Sequence, residues 1–179
     1  MSYAKITELG LERLRLFLSC SDELAYKLHE LCLDAVQHVI QHRRYAQLHI
    51  PEIVIPMIER SWEEEWPSIY GRFDFAFDGV GQPKLLEYNA DTPTSLLEAS
   101  VIQWTWLQDT YPHWDQFNSM HDKLIAWWNE LKPYMKGDPL YFTSLDDRED
   151  FMTAAYLADT AAQAGIPSSY IVATDIGHD

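Results

Sequence analysis

At 179 residues, with 47% hydrophobic and 13% aromatic side chains, the chain can build the core of one domain, or of one domain and part of a second, and wholesale disorder is excluded. Its 28 Asp and Glu outweigh 13 Lys and Arg, for a formal net charge of -15, and the longest basic run is Arg43-Arg44, which argues against nucleic acid or an anionic membrane as partner. Two cysteines, Cys20 and Cys32, cannot form a disulfide framework, and with no secretory signal and no run of about 18 apolar residues the expectation is a soluble, cytoplasmic protein.

Residues Leu11 to Leu18 suggest a first, weaker helix. From Ser21 to Arg44, Leu24, Leu28, Leu31, Ala35 and Val39, with Cys32, Val36 and Ile40 beside them, recur at three- and four-residue steps. That predicts a helix with one broad buried face, capped by Ser21 or Asp22. Pro51 suits the first turn of a second helix reaching about Trp66. Tyr70 to Asp78 then alternates in twos, and Lys84 to Asn89 does so again after the turn residues Asp78 to Pro83, which predicts an antiparallel hairpin. Asp91-Thr92-Pro93-Thr94 offers caps for a helix to about Leu107, and Asn118 or Ser119 starts another through Leu131. The tail reads as a strand at Leu140 to Thr143, a helix from about Asp147 to Ala164 stopped by Gly165, and a strand at Ser169 to Ala173. That βαβ order implies parallel pairing, and its edges call for further strands, so the chain is expected to be incomplete at its C-terminus.

The fold class is therefore α/β. It is expected to divide into a helical region over 1–68, a hairpin with helices over 69–135, and a βαβ segment over 136–179.

With a turn centred between Val80 and Gly81, Asp74 lies opposite Glu87 and Arg72 opposite Asn89, all four on one face. Two carboxylates opposed across a ladder repel unless a cation lies between them. Asp, Glu and the Asn carbonyl are hard oxygen donors suited to Mg²⁺ with nucleotide phosphates, and Arg72 can grip a carboxylate or phosphate. The helix start at Asp91 to Thr94 would add an anion-favouring end and the hydroxyls of Thr92 and Thr94. A solvated hairpin face with scattered charges and an ordinary N-cap would read the same way, and a one-residue slip would separate Asp74 from Glu87. Spacing alone leaves both readings open.

Other constellations read as structure. His38 and His42, one helical turn apart, are two ligands short of a zinc cage. Trp104, Trp106, Trp127 and Trp128 read as core, and Trp62-Glu63-Glu64-Glu65-Trp66 as a solvated helix face. No G-x-S-x-G elbow occurs, and neither cysteine pairs with a nearby helix start and histidine.

Tyr70-Gly71-Arg72-Phe73-Asp74 and Lys84-Leu85-Leu86-Glu87-Tyr88-Asn89-Ala90-Asp91-Thr92-Pro93-Thr94-Ser95 resemble the signature of the glutathionylspermidine synthase family, most closely its members without an amidase domain. Gln103 to Leu107, Phe117-Asn118-Ser119 and Asp175-Ile176-Gly177 fit the same family, and the resemblance runs from about Leu24 to Asp179.

The resemblance implies the pre-ATP-grasp portion of an ATP-grasp ligase that joins a carboxylate of glutathione to an amine of spermidine through an acyl phosphate, using ATP and Mg²⁺. It implies Asp74, Glu87 and Asn89 as magnesium ligands, Arg72 as the catalytic contact to glutathione and the reacting phosphoryl group, and Thr92 and Thr94 as glutathione-binding positions. Glu149 falls near an acidic pair that contacts the substrates, where this chain has Arg148 as neighbour, so the resemblance does not carry spermidine over as the amine. The lysines that bind ATP lie, in that family, beyond Asp179, so these residues alone are expected to be inactive. The other reading is a non-catalytic module that binds glutathione-like peptides or polyamines, or that pairs with a separate ATP-grasp chain through unfinished sheet edges.

Overall fold

The computed structural model describes residues 23–116, 118–135 and 139–177. The expected helix over Leu11 to Leu18, Cys20, the cap at Ser21 or Asp22, and Phe117 lie outside them. The chain divides into two compact units, Met1–Ala90 and Asp91–Asp179. Among the described residues no helix is long and apolar enough to cross a membrane.

In the first unit, α1 covers residues 23–41 and α2 runs Ile55–Glu63, with 3-10 turns at Arg44–Leu48 and Glu52–Val54 between them. Pro51 precedes the second of these turns, as its fixed φ favours, and the α-helix proper begins four residues later than the sequence suggests. Leu24, Leu28, Cys32, Val39 and Ile40 on α1 are half-buried, whereas Leu31 is 61% exposed, Val36 is 41% exposed and Ala35 is exposed. The apolar stripe is thus narrower than its periodicity suggests. Tyr45 is buried, and its hydroxyl donates to Glu59 Oε1 at 2.9 Å, tying the 3-10 turn to α2.

β1 (Arg72–Ala76) and β2 (Lys84–Asn89) form the expected antiparallel hairpin. Its turn is held by Asp78, whose Oδ1 accepts from Val80 N and Gly81 N, each at 2.9 Å. Those backbone N–H groups favour the charged carboxylate and hold its pKa below the ordinary range. One face of the hairpin is aromatic. Phe73 stacks on Tyr88 with centroids 4.0 Å apart, and Tyr88 OH lies 3.0 Å from His29 Nδ1 of α1. Gly71 is required where it stands: a Cβ there would fall 2.8 Å from Tyr88 Cε2 and 3.3 Å from the Asn89 carbonyl oxygen.

The second unit begins with a non-helical stretch, Asp91 to Ser95, and helix α3 starts at Leu96. The cap expected at Asp91 to Thr94 is displaced. Ser95 sits in the left-handed region (φ 66), and its carbonyl accepts from Ala99 N, which makes Ser95 the residue that opens the helix. Pro93 accounts for part of this, since the residue before a proline is pushed out of the helical region. Within α3, Glu98–Ile102 is a π-turn followed by α-helix over Gln103–Thr110. A π-turn frees backbone carbonyls, and Asn118 takes up two of them, its Nδ2 donating to Ala99 O at 3.0 Å and Ser100 O at 2.9 Å. Its Oδ1 meanwhile accepts from Met120 N at 3.2 Å, opening α4 (Met120–Leu131).

β3 (Leu140–Ser144), α5 (Arg148–Gln163) and β4 (Ser168–Val172) make the expected βαβ unit with parallel pairing. Asp147 caps α5, its side chain accepting from Glu149 N at 2.8 Å and Asp150 N at 3.4 Å. Gly165 ends it in a left-handed conformation (φ +78), with Ile166 N bonded back to Ala161 O. The core of this unit lies between α4, α5 and β3: Leu124, Trp128, Leu131, Phe142, Ala154 and Ala161 are buried, and the Trp128 indole N–H donates to Thr160 Oγ1 at 2.9 Å. Trp104, Trp106 and Trp127 are instead 41%, 59% and 40% exposed, so Trp128 is the one of the four that serves the core.

Candidate functional site

The register places Asp74 opposite Glu87 and Arg72 opposite Asn89. Each step of the ladder from Arg72 to Asp74 moves one residue back on β2, so alternation sets the four polar side chains on the face opposite Phe73 and Tyr88. The register then shifts between Asp74 and Phe75, so that Phe75 pairs with Leu85 and Leu86 is the extra residue of a bulge. Next to the turn Phe75 pairs with Leu85 and Ala76 with Lys84, one residue off the register expected from a turn centred between Val80 and Gly81, and the bulge at Leu86 is what brings Glu87 opposite Asp74.

Arg72 occupies the ground between the two carboxylates. Its Nε donates to Asp74 Oδ1 at 2.8 Å and its Nη2 to Asp74 Oδ2 at 3.1 Å, while Nη2 lies 3.7 Å from Glu87 Oε1. The cation that two opposed acids demand is therefore supplied by their own strand neighbour. These hydrogen bonds, and then the Arg72 charge, hold the Asp74 pKa below the usual carboxylate range, while the same bonds raise that of Arg72. All three side chains remain partly open to solvent, at 32%, 39% and 56% exposure for Arg72, Asp74 and Glu87. Nearby, Tyr70 is pushed up to about 12 by burial.

The donor set suits a hard divalent cation. Asp74 and Glu87 carry opposed oxygens, and the Asn89 side chain makes no hydrogen bond among the described residues. Arg72 already forks onto Asp74, so a metal here would share that carboxylate or displace the guanidinium. No group of three His, Cys, Asp or Glu side chains suited to a metal occurs among the described residues, and the third oxygen donor on this face is the Asn89 amide.

Of the remaining predicted residues, Thr92 and Thr94 fall in the non-helical stretch before α3, Thr92 exposed and Thr94 half-buried. Glu149 lies exposed in the first turn of α5. All three belong to the second unit, and the hairpin to the first. Sequence reasoning had Arg72 and Asp74 on one face but missed their pairing. Their i, i+2 spacing on a strand was the available signal.

Residues 19–179 match the family described as glutathionylspermidine synthase preATP-grasp. The chain belongs to that family. Over 162 residues it is 40% identical to a Haemophilus influenzae protein named "Putative acid--amine ligase", a match covering 88% of this chain and 41% of that protein. Trypanothione synthetase of Crithidia fasciculata is 38% identical over 84 residues, covering 46% of this chain and 13% of the relative. The bifunctional glutathionylspermidine synthetase/amidase of Escherichia coli is 34% identical over 87 residues, covering 48% and 14%. The chain thus spans less than half the length of each of these relatives. A mixed α/β chain with two small sheets agrees with a pre-ATP-grasp domain.

Proposed function

We propose that the polar face of the hairpin is the metal- and phosphoryl-handling edge of an ATP-dependent carboxylate–amine ligase of the glutathionylspermidine synthase type. The observation that carries this reading is the Asp74–Glu87 opposition with Arg72 lodged against both, in a chain of that family. Arg72 already supplies one cation to the opposed acids, and the donor types on the same face fit Mg²⁺ as a second.

In the proposed reaction a glutathione-like carboxylate takes the terminal phosphoryl group of ATP, releasing ADP. A polyamine-like amine then attacks the acyl phosphate and expels phosphate, leaving an amide. Asp74, Glu87 and Asn89 would hold Mg²⁺, which when bound supplies neutralisation of charge on the nucleotide phosphates. Arg72 binds the anionic carboxylate and the oxygens of the transferring group, where its charge and paired N–H donors stabilise the negative charge that develops. Asp74 fixes the guanidinium for that task, since both its oxygens accept from Arg72. Thr92 and Thr94 donate hydroxyls to the acid, and Glu149 attracts the ammonium of the amine. The setting proposed is cytoplasmic, where ATP and glutathione are at hand.

The test is ADP release by the ligase that contains these residues. Asp74→Ala and Arg72→Ala each reduce it by at least about a hundredfold, the scale for losing one charge-stabilising group. Undiminished turnover in either variant would remove the hairpin from the chemistry.

The fork from Arg72 to both Asp74 oxygens also favours a second reading, a module that binds glutathione-like anions or polyamines without catalysis, alone or beside a separate ATP-grasp chain. Retention of glutathione by the 179-residue chain without any effect of Mg²⁺ would select it.

A further inference from the structure

The acidic run Trp62 to Trp66 has Glu63, Glu64 and Glu65 exposed, as expected of a solvated face, and Trp62, Glu65 and Trp66 of it also border an open cleft. α2 ends in a reversal in which Glu65 N bonds to Trp62 O and Trp66 N bonds back to Ser61 O, with Glu65 left-handed at φ 50. This is the Schellman geometry that Gly165 gives α5, here with a glutamate where glycine is usual. The reversal turns Trp66 back alongside Trp62. With α1 opposite, they line a half-open cleft of about 480 Å³ whose walls include Leu33, Asp34, Gln37, Trp62, Glu65 and Trp66.

The chemistry of that lining is one-sided. The Trp62 indole N–H is spent on Gln37 Oε1 at 2.8 Å, and the Trp66 indole N–H on Glu64 Oε2 at 2.6 Å. Ser61, also in the wall, donates to Ile58 O. Among the described lining side chains only Gln37 keeps unspent donors. Acceptors remain in plenty. Asp34 and Glu65 make no ion pair or hydrogen bond with their side chains among the described residues. The Trp66 ring already carries a cation, the Arg60 guanidinium 5.3 Å from its centroid, and Arg60 does not line the cleft. Indole rings and unpaired carboxylates around a volume in the small-molecule range select a positive charge on a hydrocarbon stem. A bare metal ion would find only the carboxylates of Asp34 and Glu65 here, since the Gln37 amide oxygen already accepts from the Trp62 indole.

We propose that the α1–α2 cleft is a binding site for an organic ammonium, an aliphatic amine or diamine, with Asp34 and Glu65 as its counter-charges and Trp62 and Trp66 as its aromatic walls. The site stands on α1 and α2 alone, so it holds or fails independently of the hairpin.

The test titrates the 179-residue chain with diaminopentane, and with pentanediol as an uncharged control of the same length, following the indole N–H signals by NMR. Trp62→Phe and Trp66→Phe identify the two resonances. The expected result is a saturable shift of the Trp62 and Trp66 signals with a dissociation constant on the order of 1 mM or tighter, weakened by salt and absent with the diol. Asp34→Asn weakens binding by about fivefold. Glu65→Gly separates binding from folding: it relieves the left-handed backbone and raises the melting temperature, yet weakens binding by a similar factor. No saturable shift, equal response to the diol, or full affinity in Glu65→Gly overturns the proposal.

Discussion

Asp74 and Glu87 stand directly opposite each other across β1 and β2, and one guanidinium, that of Arg72, lies 2.8 Å from the first and 3.7 Å from the second. Two like charges on facing positions weaken a ladder, so this hairpin is stable because a third residue on the same face compensates them. The Arg72 fork falls on Asp74 and reaches Glu87 only at 3.7 Å, and the proposed Mg²⁺ site draws on the oxygens this leaves on Glu87 and Asn89.

Arg72 controls the titration of Asp74. Its hydrogen bonds lower the carboxyl pKa, so the pair stabilises the fold above the unfolded-state pKa of an aspartate, and that contribution is lost as pH falls through the folded one. A carboxyl-detected NMR titration is expected to place the Asp74 midpoint below the ordinary range and to return it upward in Arg72→Ala. A midpoint indifferent to that substitution would mean the pair does not form in solution.

Gly71→Ala is expected to cost about 1–3 kcal/mol, the range for forcing extra volume into a packed site. The new methyl would press on the Tyr88 ring, which stacking on Phe73 and the contact to His29 hold in place. Urea denaturation measures the loss, and a neutral result would show that Tyr88 can swing aside.

Asn118→Ala leaves two carbonyls of the π-turn without their donor. The expected loss is about 1–3 kcal/mol, the penalty for unsatisfied buried polar groups. Thermal unfolding reads it directly, and a change below about 0.5 kcal/mol would indicate that water replaces the amide.

Removing the cap at the start of α5 with Asp147→Ala is expected to destabilise by about 1 kcal/mol. Glu149 follows in that first turn, so its position also depends on the cap. Amide exchange at Glu149 and Asp150 is expected to quicken first, and unchanged protection there would count against the bonds to Asp147 Oδ1.

The hairpin was readable because its information is local. Alternation from Tyr70 and again from Lys84 indicates the strands and their polar face, but the register next to the turn is one residue off the expected one, and Asp74 meets Glu87 only because the bulge makes up the difference. The bulge at Leu86 was not readable, since nothing in Lys84 to Asn89 marks which residue falls outside the pairing. α5 and its ends were readable from Asp147 and Gly165, both local signals. The opening of α3 was misplaced because Asp91 to Thr94 has cap chemistry, while the left-handed Ser95 decides the start. Its π-turn depends on Asn118, eighteen and nineteen residues away, which no helical pattern encodes. On α1, periodicity gave the apolar stripe but not its width, which is set by what packs against it. For the site, residue types and their shared face were legible, while the facing of Asp74 and Glu87 agrees with expectation through an unforeseen bulge. The pairing of Arg72 with Asp74 was a tertiary choice among several acids, and Thr92, Thr94 and Glu149 are placed by their elements alone.

The most direct measurement is Mn²⁺ titration of the 179-residue chain, with paramagnetic broadening followed residue by residue. The expected result is saturable broadening centred on Asp74, Glu87 and Asn89, abolished by Asp74→Ala and displaced by Mg²⁺. Broadening spread over the acidic surface, or centred on these residues but unaffected by Asp74→Ala, would contradict it.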